Sequence, residues 1–172
     1  MKRLIVFVLL LMPLQIFAQG LGFMAEEGKL KWQRVYTTEL DSTAIVQAAA
    51  TNPALEEITA VPGGFRCKIA KHYADFKGAG YSRGRVPMYL LLYEYQAVAI
   101  VQIKEARYRV TVERIVFEDS SKGSDRREAI ETWAVNGSGA LRDAYTDGVA
   151  GMVMDYDLGG IFEFAPLKED EW

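Results

Sequence analysis

The chain has one histidine, His72, and one cysteine, Cys67, and this already restricts its chemistry. A histidine-rich metal site is excluded by number. Any Ser-His-Asp or Cys-His arrangement must run through His72. Cys67 and His72 stand five apart in an alternating segment, and in one regular strand that spacing points them to opposite faces, so a nucleophile–base pair is not expected. Cys67 reads as a small buried apolar residue and His72 as a rim residue near a strand end. Asp155 and Asp157 bracket Tyr156, with Glu163 close behind. Two facing carboxylates, one with a raised pKa, could run a glycosidase-type hydrolysis. A calcium loop needs more oxygen ligands at regular spacing. Neither pattern is complete, and a solvated helix end before Gly159-Gly160 is the simpler reading. No catalytic residue, metal ligand or cofactor is assigned.

Two basic clusters remain as binding candidates. Residues 75–85 read DFKGAGYSRGR. The glycine spacing matches neither a Walker loop nor a dinucleotide fingerprint. It is either a plain surface loop or an anion or ligand contact made by Tyr81, Arg83 and Arg85. Arg107 and Arg109 flank Tyr108; on a strand they share a face, together with Gln102 and Thr111 of the same expected hairpin. That face either binds an anionic ligand or is solvated, pairing with Glu105 and Glu113. Asn136-Gly137-Ser138 matches a glycosylation acceptor, but beside a bacterial-type leader it reads as chance.

The leader is the clearest sequence feature. Lys2 and Arg3 precede an apolar run over residues 4–14, and Ile16 and Ala18 suit signal peptidase, so cleavage is expected between Ala18 and Gln19. The run is shorter than the roughly 20 residues that span a bilayer. No transmembrane segment is expected after cleavage. Cys67 is far from the cut, which argues against a lipid anchor. The protein is therefore expected to be exported, periplasmic or secreted. The formal net charge of the whole chain is −3, and losing Lys2 and Arg3 makes it more acidic. That balance argues against nucleic acid as a partner. One cysteine forms no internal disulfide, so the core alone must hold the domain.

The elements that would position these residues follow from periodicity. Residues 30–37 alternate as a first strand. Asp41 or Ser42 caps a helix with Ile45, Ala48 and Ala49 inward, ending at Asn52-Pro53. Residues 55–61 read as either a short helix or a strand. Pro62-Gly63-Gly64 is a turn, 65–73 a second strand, and 86–95 a strand or a packed approach segment. Residues 97–104 and 107–117 alternate and pair as a hairpin around Glu105-Ala106. That register puts Ala99, Val101, Ile103, Tyr108, Val110 and Val112 on one face, with Gln102 opposite Arg109. Ala106 is a poor residue for the positive φ of a two-residue turn, which favours a turn wider by two residues. After a polar linker at 120–124, a helix capped by Ser124 or Asp125 carries Ala129, Ile130 and Trp133. Asn136-Gly137-Ser138-Gly139 breaks it. A last helix over 140–155 directs Leu141, Tyr145, Val149, Met152 and Val153 inward. Gly159-Gly160 stops it, residues 161–164 form a short strand, and the acidic Glu169-Asp170-Glu171 closes the chain. This order is α+β.

Val86-Pro87-Met88-Tyr89, the stretch Val101-Gln102-Ile103-Lys104-Glu105-Ala106-Arg107-Tyr108-Arg109-Val110-Thr111-Val112, and Ile115-Val116-Phe117 resemble a bacterial domain of unknown function with a TATA-binding-protein-like (TBP-like) fold. Trp32-Gln33-Arg34-Val35-Tyr36 resembles that family's opening aromatic strand. The resemblance spans residues 30–117. Ala106 stands where the family usually has glycine. It implies a curved antiparallel sheet with helices packed on one face, in an exported envelope protein, and brings no catalytic residue or substrate.

The expected organisation is a signal peptide over 1–18, a flexible lead over 19–29, a TBP-like core over 30–118, and a C-terminal helical extension over 119–172 packed on the same domain. The expected function is a non-enzymatic binding or interaction module of the bacterial envelope. Its partner would be an envelope protein or small ligand, met by Tyr81, Arg83, Arg85, Gln102, Arg107 and Arg109. An envelope hydrolase using the paired carboxylates and a structural accessory of an outer-membrane complex are the alternatives.

Overall fold

Alternation of apolar and polar residues builds most of the molecule, which is described here from a computed structural model covering residues 21–119 and 125–165. The leader, the 120–124 linker and the acidic tail lie outside these residues. Strands β1 (Phe23–Glu26), β2 (Lys29–Thr37), β3 (Leu55–Val61), β4 (Gly64–His72), β5 (Tyr93–Lys104), β6 (Arg107–Asp119) and β7 (Arg127–Ala129) form one antiparallel sheet. Its order is β1-β2-β6-β5-β4-β3, and β7 pairs with the far end of β6. The sheet is curved and unclosed, and helices α1 (Ser42–Thr51), α2 (Met88–Leu92), α3 (Glu131–Ala134), α4 (Asp143–Thr146) and α5 (Val149–Ile161) complete an α+β fold.

The hairpin register is the expected one: Ile103 pairs with Tyr108, Val101 with Val110, Ala99 with Val112 and Gln102 with Arg109. The turn is not widened. Lys104 pairs with Arg107, and Ala106 accepts a positive φ of 56°. Left-handed backbone is costly for alanine, so the strand pairing on both sides must outweigh it. The alternation of β6 is interrupted once. Arg114, at φ 55°, is an extra residue between the pairs Val98–Glu113 and Gln96–Val116. This bulge moves the inward phase from Tyr108, Val110 and Val112 to Ile115 and Phe117, keeping all five buried.

Several expectations are corrected. The lead over 19–29 holds β1, with Phe23 buried and edge-on to Tyr145 at 5.2 Å. Residues 55–61, which read as either helix or strand, are a strand. Residues 86–95 begin with α2, because Pro87 starts a helical turn before Tyr93 enters the sheet. Ala129 belongs to β7, and of the helix expected between Ser124 or Asp125 and the break at Asn136 only Glu131–Ala134 is helical. The last helix is broken at Gly148, where a side chain would lie 2.6 Å from Ala144 Cα, so α4 and α5 meet closely there. Helix α5 then runs through Gly159-Gly160 to Ile161. Residues 161–164 are no strand, although Phe162 and Phe164 are buried. Met152 faces solvent, and the inward stripe is Ala150, Val153, Met154, Asp157 and Leu158.

Helix α1 starts as expected, with Asp41 accepting from the Ala44 amide at 2.8 Å and Ile45 and Ala49 fully buried. With α5 it covers one sheet face. Burial of Trp32, Phe65, Ile69, Tyr95, Phe117 and Leu158 in one cluster stabilises the fold by roughly 1.5–3 kcal/mol per large side chain.

Candidate functional site

The sequence's catalytic candidates meet at the seam between α5 and the covered sheet face. Trp32 and Arg34 are successive inward positions of β2, and both reach Asp155. The Asp155 carboxylate accepts from Trp32 Nε1 at 2.7 Å, the Gly22 amide at 3.0 Å and Arg34 Nη2 at 2.5 Å. Gly159 makes room for that arginine, since a Cβ there would sit 2.2 Å from Arg34 Nη1. The Gly159 carbonyl accepts from Tyr36 Oη at 2.9 Å, and the Phe162 carbonyl from Tyr108 Oη at 2.7 Å. Gly159 is therefore where β2 side chains dock on α5, and the helix runs on through it and Gly160 to Ile161.

Asp157 serves the other end of the seam. It accepts from the Asp75 amide at 2.9 Å, from Tyr95 Oη and from His72 Nε2 at 3.0 Å. His72 reaches it through a second bulge, between the pairs Ile69–Ala97 and His72–Tyr95. That bulge turns His72 onto the same sheet face as Cys67, correcting the expectation of opposite faces. The two still have different surroundings. Cys67 is buried among apolar residues, and burial pushes its thiol up to about 12. His72 leans on the Tyr95 ring at 4.5 Å.

The chemistry of His72 follows from its partners. Nδ1 is 2.8 Å from the Ala70 carbonyl, which can only accept. Nε2 faces a carboxylate. Both nitrogens are best used as donors, which is the imidazolium. Burial lowers its pKa, but the hydrogen bonds to Asp157 and Ala70 and the charges of Asp157 and Glu94 raise it by more. In that state no lone pair is left for proton abstraction. Asp155 and Asp157 likewise spend their oxygens on separate protein donors. A cleft of about 600 Å³ runs past both, with Asn52, Tyr156 and Glu163 on its walls. The carboxylates act here as anchors of α5 and diverge to different partners.

The binding candidates fall in two places. Gln102, Arg107 and Arg109 lie on the uncovered sheet face at the β5–β6 hairpin. Arg109 Nε donates to Gln102 Oε1 at 3.0 Å across the strands. With Val35, Lys104 and Tyr108 they border a hollow of about 340 Å³. Tyr81, Arg83 and Arg85 lie beyond the His72 end of β4, at the opposite end of the sheet. Register shows this, since Gly64 pairs with Gln102 while His72 pairs with Tyr95. Arg83–Arg85 is a single 3₁₀ turn, the Arg85 guanidinium lies 5.7 Å from the Tyr81 ring centre, and Tyr81 Oη is 2.7 Å from Met152 Sδ. The structure therefore does not join the two clusters.

Sequence reasoning missed Lys31, Arg66, Lys68 and Val35, which share the uncovered face. Lys31 pairs with Glu26 and Lys68 with Glu57. Val35 is half exposed at 52%. The period-two spacing of Lys31, Gln33 and Val35 was the available signal. It also missed Arg34 and Trp32 as partners of Asp155, because no local pattern links residues more than 120 apart.

This arrangement, a curved open antiparallel sheet with helices on one face, defines a TBP-like fold. No family model matches the chain, and no curated protein matches it in sequence. Among solved structures it is similar to a TBP-like protein from Parabacteroides distasonis, with TM-score 0.50 and 11% identity over 80% of this chain and 90% of that one. At that identity the likeness shows the fold alone. A DUF4468 family protein from Bacteroides ovatus superposes with TM-score 0.44 and 15% identity, over 86% of this chain and 94% of that one.

Proposed function

We propose that this protein is an exported, non-enzymatic binding module of the bacterial envelope, which takes an anionic partner on its uncovered sheet face. The observation that supports it is the distribution of charge. The chain is acidic as a whole. Yet the hairpin end of its uncovered face gathers Arg66, Lys104, Arg107 and Arg109 around half-buried Ile100 and Thr111 and exposed Val35, while Lys31 and Lys68, farther along, pair with Glu26 and Glu57 and share the face with Glu56 and Glu113. A basic, partly aliphatic hairpin end in an acidic molecule focuses attraction there and orients an approaching anion. Arginines beside a hollow suit a planar carboxylate or a phosphate, which they engage with paired N–H groups. The leader and the acidic balance favour an envelope component over nucleic acid.

The test is capture from the organism's own envelope extract on the immobilised protein, followed by salt elution. The reading expects components that elute as ionic strength rises and are lost with the double variant Arg107→Glu, Arg109→Glu. Identical capture by wild type and variant overturns it. Cell fractionation with N-terminal sequencing checks export, with Gln19 expected as the first residue of the exported form.

A further inference from the structure

The apolar side chains that the fold leaves in solvent are not scattered. Seven large ones are exposed among the described residues, and five adjoin the 73–85 loop along the chain or in space: Tyr73 opens it, Met88 and Leu92 follow it on α2, and Met152 and Tyr156 of α5 touch it. Met88 and Leu92 are one helical turn apart on the outer side of α2 and are 67% and 45% exposed. Met152 touches the 73–85 loop through Tyr81, and Tyr156 abuts it at Gly78. Beside Met88 and Leu92 lie half-exposed aromatics, Tyr89 stacked on Trp133 at 4.3 Å and Tyr93 next to them. Exposed Lys77, Arg83 and Arg85 stand on the same loop. Its acidic residue, Asp75, is turned back on the loop, accepting from the Gly78 amide at 2.8 Å.

Protruding methionine and leucine, aromatics at their base and cations around them are the composition of a surface that rests on lipid. The apolar tips enter the acyl boundary, Trp and Tyr settle at headgroup level, and Lys and Arg meet phosphate. Exposed cations next to exposed apolar side chains suit an anionic lipid surface, which meets both in one layer. We infer that the α2 end, with the 73–85 loop, is a peripheral docking surface for an anionic membrane leaflet. The exposed cations of this end, Lys77, Arg83 and Arg85, give it the charge that such a leaflet attracts. No helix among the described residues is long and apolar enough to cross a membrane. Attachment here would be superficial and reversible, and would leave the uncovered sheet face available.

The experiment is co-sedimentation of the protein, purified as the cell processes it, with vesicles of phosphatidylglycerol and phosphatidylethanolamine or of phosphatidylcholine alone. Binding is expected to the anionic vesicles and to weaken with salt. Arg83→Gln and Arg85→Gln should each weaken it about fivefold. The pair Met88→Ser, Leu92→Ser should weaken it by about tenfold or more. Val46→Ser, exposed on α1 away from both surfaces, should leave it unchanged. These side chains are exposed, and equal thermal unfolding of all variants shows that folding is not the cause. No sedimentation with anionic vesicles, equal sedimentation with both compositions, or binding indifferent to the Met88, Leu92, Arg83 and Arg85 changes overturns the inference.

Discussion

His72 is a titrating group whose geometry favours one charge state. Both ring nitrogens face acceptors, so the folded state holds the proton more tightly than the unfolded chain does, where histidine titrates near 6.5. A raised folded pKa gives stability that is fully present below about pH 6.5 and is lost as pH rises through the folded value. The midpoint of thermal unfolding should therefore fall across that window, and His72→Gln should remove the slope. Because the chain has a single histidine, its imidazole resonances titrate without overlap in an NMR experiment. The folded pKa should lie above 6.5 and drop in Asp157→Asn. Asp157→Ala should also cost on the order of 3 kcal/mol, since it leaves the buried Tyr95 hydroxyl and the Asp75 amide without their acceptor. Denaturant unfolding measures that loss. An unchanged stability would mean that α5 is held by its apolar stripe alone.

Between elements, the informative places are those where local preference and pairing disagree. Ala106 stands at a positive φ because Lys104–Arg107 pairing closes a two-residue turn. Ala106→Gly should relieve that strain and stabilise the hairpin by about 0.5–1 kcal/mol, read as a raised unfolding midpoint. The bulge at Arg114 has a sequence trace. Apolar residues sit at even positions up to Val112 and at odd positions from Ile115, a phase change that only an extra residue reconciles with one buried face. Regular alternation over 107–117 is what the eye reads first, and the slip shows once burial is assigned. The second bulge, before His72, left no such trace because Ala70, Lys71 and His72 do not declare a face. The helical breaks were legible in kind but not in place. Gly148 separates α4 from α5, whereas α5 runs on through Gly159-Gly160, where the missing Gly159 side chain leaves room for Arg34 and the Gly159 carbonyl accepts from Tyr36.

At the scale of the whole molecule, one cysteine and no disulfide leave stability to the core. Cys67 is 1% exposed, and its thiol is pushed up to about 12. A thiol reagent should therefore label the native protein only as fast as it unfolds, and added reductant should not shift the unfolding midpoint. Rapid labelling of folded protein would show that β4 opens locally. The uncovered sheet face is also a property of this scale. Its cations come from β2, β4, β5 and β6, and only the strand order makes them neighbours.

By itself the sequence determined the hairpin register, the α1 cap, the α+β class and the inward phase of most strands. These rest on short-range rules of alternation, capping and turn chemistry, which need no knowledge of distant residues. It also marked Arg107, Arg109 and Gln102 as one face, and Tyr81, Arg83 and Arg85 as a loop. Tertiary structure alone decided that these two groups lie at opposite ends, and that Arg66, Lys68 and Lys31 join the first and Met88 and Leu92 the second. It alone turned Asp155 and Asp157, which read as a solvated helix end, into two anchors. The physical reason is the same in each case. A carboxylate's role depends on which donors reach it, and here those donors arrive from β2, β4 and β5, more than 60 residues away along the chain.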